Sequence, residues 1–288
     1  MGSLWDSLLF PAKKLVAPRL LRRYGNFLCN YLKGIEANVK VKLGLSQVED
    51  EAKSLQHLEE VERIIGYSFN NRSLLYQAFT HPSYHRDCVS YERLEYVGDS
   101  VLNLLITKEQ FSKYPDLPPG LLTPLRAANV DTEKLARMAV RHNFHRYIRF
   151  GNPVIYRKKI QAFINTLPKH PLHSHGLISA PKVLADVVES TIGAVYVDSN
   201  YSIERTWEVA KKLLEPIISP ESLPIHPVTR LLEMCQSKRF SMKMRDSWKD
   251  DGVVEFVIDD ETCVGKAKYK AKRAIAKNRA ALDAYNQI

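Results

Sequence analysis

Residues 91–103 read YERLEYVGDSVLN, which sets three carboxylates, Glu92, Glu95 and Asp99, into an otherwise apolar pattern. In a helix, positions three, four and seven apart share a face, so the three acids form one row. Leu94, Val97, Val101 and Leu104 make an apolar stripe beside it. Like charges one turn apart repel by roughly 0.2–0.5 kcal/mol per pair. The one basic neighbour, Arg93, points elsewhere on the helix, so the row needs a cation from outside.

A second acidic pair lies in PKVLADVVESTIGAVYVD (181–198), where Asp186 and Glu189 stand three apart in a helix entered from Pro181. Two helices could thus each offer two carboxylates to one point. Mg²⁺ takes hard oxygen ligands in octahedral geometry and keeps several waters, so a few carboxylates around one site suit it. Such an ion activates water and stabilises the leaving oxygen of a phosphodiester. The plainer reading is two helices with solvated acidic faces.

The chain has 288 residues, 45% hydrophobic and 26% charged, which is globular and long enough for one large domain or two ordinary ones. Its net charge of +10 favours a polyanionic partner, and lysines and arginines crowd the last forty residues. The four cysteines, Cys29, Cys88, Cys235 and Cys263, show no Cys-x-x-Cys pairing, so a zinc site or disulfide framework is not expected. No apolar run is long enough to span a membrane.

Residues 1–50 form a basic, apolar N-terminal segment with two readings: an amphipathic structural or interaction helix, or a targeting segment. From Glu49 to Tyr67 the pattern is helical, with Leu55, Leu58, Val61, Ile64 and Ile65 on one side. An Asn70–Asn71 turn precedes a second helix ending at His81–Pro82. A long helix follows from residue 91, then a Pro/Gly-rich break at 115–120, then two helices with Asp131 and Thr132 as N-cap candidates. Residues 151–180 lose clear periodicity and read as a surface insertion. It holds a basic RKK run (157–159) and His170, His173 and His175, a weak hint of a metal. The helix after Pro181 continues through WEVAKKLLEPII, so the first 215 or so residues read as all-α.

Residues 219–226 are a proline-punctuated linker, after which the character changes. A short helix, three alternating strands with turns at DDG (250–252) and DDE (259–261), and a closing helix make a small α-β-β-β-α unit over 227–288.

YERLEYVGDSVL resembles the signature helix of the ribonuclease III family, and PKVLADVVESTIGAVYVD resembles that family's second acidic motif. VERIIGYSFNNRSLLYQAFTHPSY and LRAANVDTEKLARMA resemble its opening and central helices, in order, so the likeness runs from about residue 58 to 217. The wording is most similar to plant members. The last sixty residues resemble a double-stranded RNA-binding domain, with AKNRAA near its usual final helix.

The resemblance implies an all-α endonuclease domain over 51–218 and an α+β RNA-binding domain after it. It implies Glu95, Asp99, Asp186 and Glu189 as metal ligands, with Asp99 and Glu189 catalytic, and Glu92, Asn103 and Lys182 as auxiliary. It implies Mg²⁺, with Mn²⁺ as a substitute, and cleavage of double-stranded RNA to 5′-phosphate ends with short 3′ overhangs in RNA processing. Tyr96 falls where the family places an aromatic that enters a partner subunit, which implies a homodimer. Lys270, Lys272, Arg273 and Lys277 match the RNA-facing turn, and Glu233 the usual contact face of the unit's first helix. The C-terminal unit departs from its family at WKDDGV, which lacks a histidine, and at Ala274, where a basic residue is usual. Those departures keep a protein partner open for that unit. A non-catalytic RNA-binding scaffold is the alternative for the whole chain. Nucleus or cytoplasm is expected, or an organelle if residues 1–50 are a transit segment.

Overall fold

The first described helix, α1, covers residues 59–65 and buries Val61 and Ile65. A computed structural model describes residues 59–223, 225–259 and 262–288; the readings of residues 1–50, Leu55, Leu58 and residues 260–261 lie outside them. Asn71 caps α2, Arg72–Ala78, by accepting from the Ser73 amide, as its short polar side chain favours. The next helix, α3, runs Glu92–Lys113 without a break.

The buried face of α3 is not quite the expected stripe. Leu94, Gly98, Val101 and Leu105 face inward, whereas Leu104 is 53% exposed. A side chain is missing at Gly98, so the neighbouring helix enters there and turns the stripe by part of a turn.

Pro119 opens α4, Pro119–Val130, at a position where its missing N–H costs nothing. Asp131 caps α5, Thr132–Arg141, accepting from the Lys134 amide at 2.8 Å. Residues 151–180 are a correction to the expected loop. They carry α6, Pro153–Ile164, whose Ile160 and Phe163 are buried. His173 is structural there: its Nε2 meets Asp131 at 3.0 Å and its Nδ1 accepts from the His175 amide. Both ring nitrogens of His173 are thus engaged within the protein.

The next helix, α7, Lys182–Asp198, lies at the centre, with twelve of its seventeen residues buried. A helix apolar on nearly every side is covered on nearly every side. The expected continuation into WEVAKKLL is interrupted: Asn200 and Tyr201 take positive φ, and Ser202 caps a separate α8, Ile203–Leu214.

The C-terminal segment has its own core. Helix α9, Pro227–Lys238, precedes strands β1, Met242–Asp246, β2, Val253–Ile258, and β3, Thr262–Lys268. They form an antiparallel sheet in the order β1-β2-β3, with Met244 opposite Phe256 and Glu255 opposite Lys266. Helix α10, Arg273–Gln287, lays Ala276, Ala280 and Ala284 against Leu231, Val254 and Phe256. The DDG turn belongs to a single helical turn, Trp248–Asp251. Two side chains of α10 also reach back to the segment after α6: Asn278 Nδ2 donates to the Gly176 carbonyl at 3.1 Å and Arg279 Nε to the Leu177 carbonyl at 2.8 Å.

Candidate active site

Helices α3 and α7 approach closely because each has a glycine at the crossing. A Cβ on Gly98 would collide with the Glu189 carbonyl, and one on Gly193 with the Leu94 carbonyl. Any larger residue would push the helices apart and separate the acids they carry. The crossing brings Glu95 of α3 to Asp186 and Glu189 of α7, with one carboxylate oxygen of each within 4.8 Å of the others.

Three carboxylates that close, and partly buried, repel one another strongly. Burial, followed by the charges of Asp99, Asp186 and Glu95, pushes the Glu189 carboxyl up to about 8. One cation already stands among them. Lys182 Nζ lies 2.6 Å from Glu95 Oε1 and 2.6 Å from Asp186 Oδ1. Burial works against the ammonium, but hydrogen bonds to Asp186 and Glu95 outweigh it and hold Lys182 above the usual lysine range. The need read from Glu92, Glu95 and Asp99 alone is thus met in part from α7. Glu95 and Asp186 alone outnumber the one ammonium, so the site keeps an excess of negative charge even with Glu189 protonated, and hard oxygens at this spacing suit a divalent cation.

The remaining expected acids stand at the margin. Asp99 is exposed, adds to the field on Glu189, and receives Asn103 Nδ2 on Oδ1 at 3.0 Å. Glu92 is exposed and receives the Ser90 hydroxyl at 3.0 Å, outside the cluster of three. Tyr96 is 78% exposed.

The basic residues of the C-terminal segment lie apart from this cluster in sequence. Lys270, Lys272 and Arg273 are exposed at the start of α10, and Lys277 is half-buried one turn on. Arg273 is not a free charge: its Nε donates to Asp246 Oδ2 at 2.6 Å, which holds the Asp246 carboxyl below the usual range. Asp251 accepts from Ser247 Oγ and from the Val253 amide, so this acid of WKDDGV closes its own turn. Glu233 is exposed on α9.

A family model described as "Ribonuclease III domain" matches residues 92–200, from the first residue of α3 to just past α7. Over 232 residues the chain is 48% identical to Ribonuclease 3-like protein 3 of Oryza sativa subsp. japonica, covering 79% of this chain and 77% of that protein. The chain belongs to the ribonuclease III family. It is also 41% identical over 224 residues to Endoribonuclease Dicer homolog 1 of Arabidopsis thaliana, of which it spans 12%. Among solved structures, the nuclease domain of ribonuclease III from Campylobacter jejuni aligns with 56% of the chain and 97% of its own length, at 27% identity and a TM-score of 0.43.

As a ribonuclease III-type endonuclease, the chain holds its acids within the matched stretch, and the family depends on a divalent metal. Two features of the site escape a reading of the acids alone. The glycine pair was legible as Gly98 in EYVGDS and Gly193 in TIGAV, each a small residue on the apolar side of its helix. Tyr91 was visible only as the residue before the row; its hydroxyl donates to Asp186 Oδ2 at 3.1 Å, a contact across 95 positions that no local pattern announces.

Proposed function

We propose that this chain is a Mg²⁺-dependent endoribonuclease of double-stranded RNA that works as a homodimer. The observation that carries the proposal is the convergence of Glu95, Asp186 and Glu189 from two helices onto one point. Together with Asp99 these residues would hold Mg²⁺, or Mn²⁺ in its place. When bound, the ion supplies an activated water and charge stabilisation at the leaving oxygen of the phosphodiester. Glu189, whose proton is retained to about 8 without a cation, is the acid most changed by ion binding, and with Asp99 it is the proposed catalytic pair. Lys182 keeps Glu95 and Asp186 within reach of each other. Asn103 steadies Asp99, and Glu92 plays an outer, auxiliary part. The products are duplexes with 5′-phosphates and short 3′ overhangs.

Two further parts support the proposal. Tyr96, Leu104 and Phe111 are 78%, 53% and 77% exposed and recur seven or eight residues apart on α3, an apolar stripe of the kind a second subunit covers. The C-terminal segment would act as a double-stranded RNA-binding domain, with Lys270, Lys272 and Lys277 toward phosphate and Glu233 on α9 at the duplex. Arg273, paired to Asp246, contributes less. Duplex RNA is bound mainly through shape and backbone contacts, so one neutralised residue weakens such a grip without abolishing it.

Incubating the full chain with a long RNA duplex, with and without Mg²⁺, tests the proposal. Metal-dependent conversion to short duplexes bearing 5′-phosphates is expected. Binding of the duplex with no cleavage at any Mg²⁺ or Mn²⁺ concentration would favour the non-catalytic scaffold.

A further inference from the structure

Asp186 is 5% exposed, and each of its oxygens has a donor. Oδ1 receives Lys182 Nζ at 2.6 Å, on the side shared with Glu95. Oδ2 receives the Tyr91 hydroxyl at 3.1 Å. A carboxylate has two equivalent oxygens, and nothing in its own chemistry decides which one faces a cation.

Tyr91 is held so that it can decide. It is 3% exposed, and its backbone is used on both sides. Its amide donates to the Thr80 carbonyl at 2.9 Å, and its carbonyl accepts from the Glu95 amide at 2.8 Å, at the opening of α3. Its ring meets the His81 ring edge-on, with centroids 5.7 Å apart. His81 is fixed in turn: its Nδ1 accepts from the Ser83 amide, and its ring packs on Tyr156 at 4.8 Å. The hydroxyl therefore arrives at Asp186 from a rigid base. The same residue starts the helix that carries Glu95 and steers the acid on the facing helix.

We propose that Tyr91 is a positioning residue for the metal-binding carboxylates: its hydroxyl occupies Oδ2 of Asp186 and so leaves Oδ1 turned toward Glu95. The inference rests on the metal reading of the site given above. Partners that orient a metal's ligands typically matter 10–100-fold for affinity. Tyr91 acts only through Asp186; it stands behind the carboxylate, not at the reacting atoms.

The test is Mn²⁺ binding to the full chain, measured by isothermal titration calorimetry without RNA. Tyr91→Phe keeps the ring and removes only the donor. Tyr67→Phe is the control, because the Tyr67 hydroxyl makes a like bond, 2.9 Å to Asp198 Oδ2, at the far end of α7. Tyr91→Phe should weaken Mn²⁺ binding by about 10–100-fold and Tyr67→Phe by no more than about twofold. In an Asp186→Asn background, adding Tyr91→Phe should change affinity by less than about twofold, since the group it acts through has gone. Equal affinity of Tyr91→Phe and wild type overturns the inference while leaving the metal site intact. Equal weakening by both tyrosine variants also overturns it, since the effect would then be general to the fold. A wild-type chain that binds no Mn²⁺ overturns the metal reading and this inference together.

Discussion

Glu189 is the residue on which the proposed chemistry and the stability of the site meet. Its folded-state carboxyl is raised from 4.5 to about 8, so between those values the folded chain holds a proton that the unfolded chain has released. Stability of the metal-free protein must therefore fall as pH climbs through that window, because the folded state is being forced to ionise. Glu189→Gln cannot ionise and escapes the loss. In chelator, its melting temperature should exceed that of wild type at about pH 9 and converge with it near about pH 5. A constant gap across a melting-temperature series in pH would show that Glu189 is not the strained acid. At this scale the acids themselves were legible, because Glu95, Asp99, Asp186 and Glu189 stand at helical spacing in apolar surroundings. Lys182 was expected only as an auxiliary residue; its bridge to Glu95, 87 positions away, was not legible because the two meet only after the helices cross.

The elements explain why the acids meet at all. At the crossing of α3 and α7, Gly98 faces backbone rather than a flexible side chain, so nothing there can give way. Gly98→Ala should destabilise the chain by about 1–3 kcal/mol, the usual cost of overpacking, and weaken Mn²⁺ binding as the two acidic rows separate. Urea unfolding with a parallel Mn²⁺ titration checks both; a variant as stable as wild type would contradict the close crossing. The long helices were legible from their apolar spacing and caps, as Asp131 shows. Helix α6 was not, because only Ile160 and Phe163 are buried among its exposed Val154, Ile155 and RKK run. One short buried edge leaves little periodic signal. The segment after α6 holds Asn278 and Arg279 of α10, a docking that depends on tertiary placement alone.

At the scale of the whole molecule, the helices and the C-terminal sheet have separate clusters of buried apolar residues. Ending the chain at Leu223 keeps the buried Ile218, whose amide is held by Asn129. The shortened protein should stay folded, bind duplex RNA more weakly, and lose less affinity as salt rises, since each phosphate contact adds to the salt dependence. Filter-binding assays over a range of KCl concentrations would show it, and unchanged affinity and slope would point to a protein partner for the C-terminal segment. Tyr96→Ala should shift the sedimentation profile toward monomer, since aromatic anchors dominate interface energies. Whether the acidic cluster cuts RNA is decided by single-turnover cleavage of a long RNA duplex by Glu189→Gln in Mg²⁺, with duplex binding measured on the same sample. Binding should be retained and cleavage lost by at least about 100-fold, on the scale expected when a metal-ion contribution is removed. Cleavage at the wild-type rate would contradict that role.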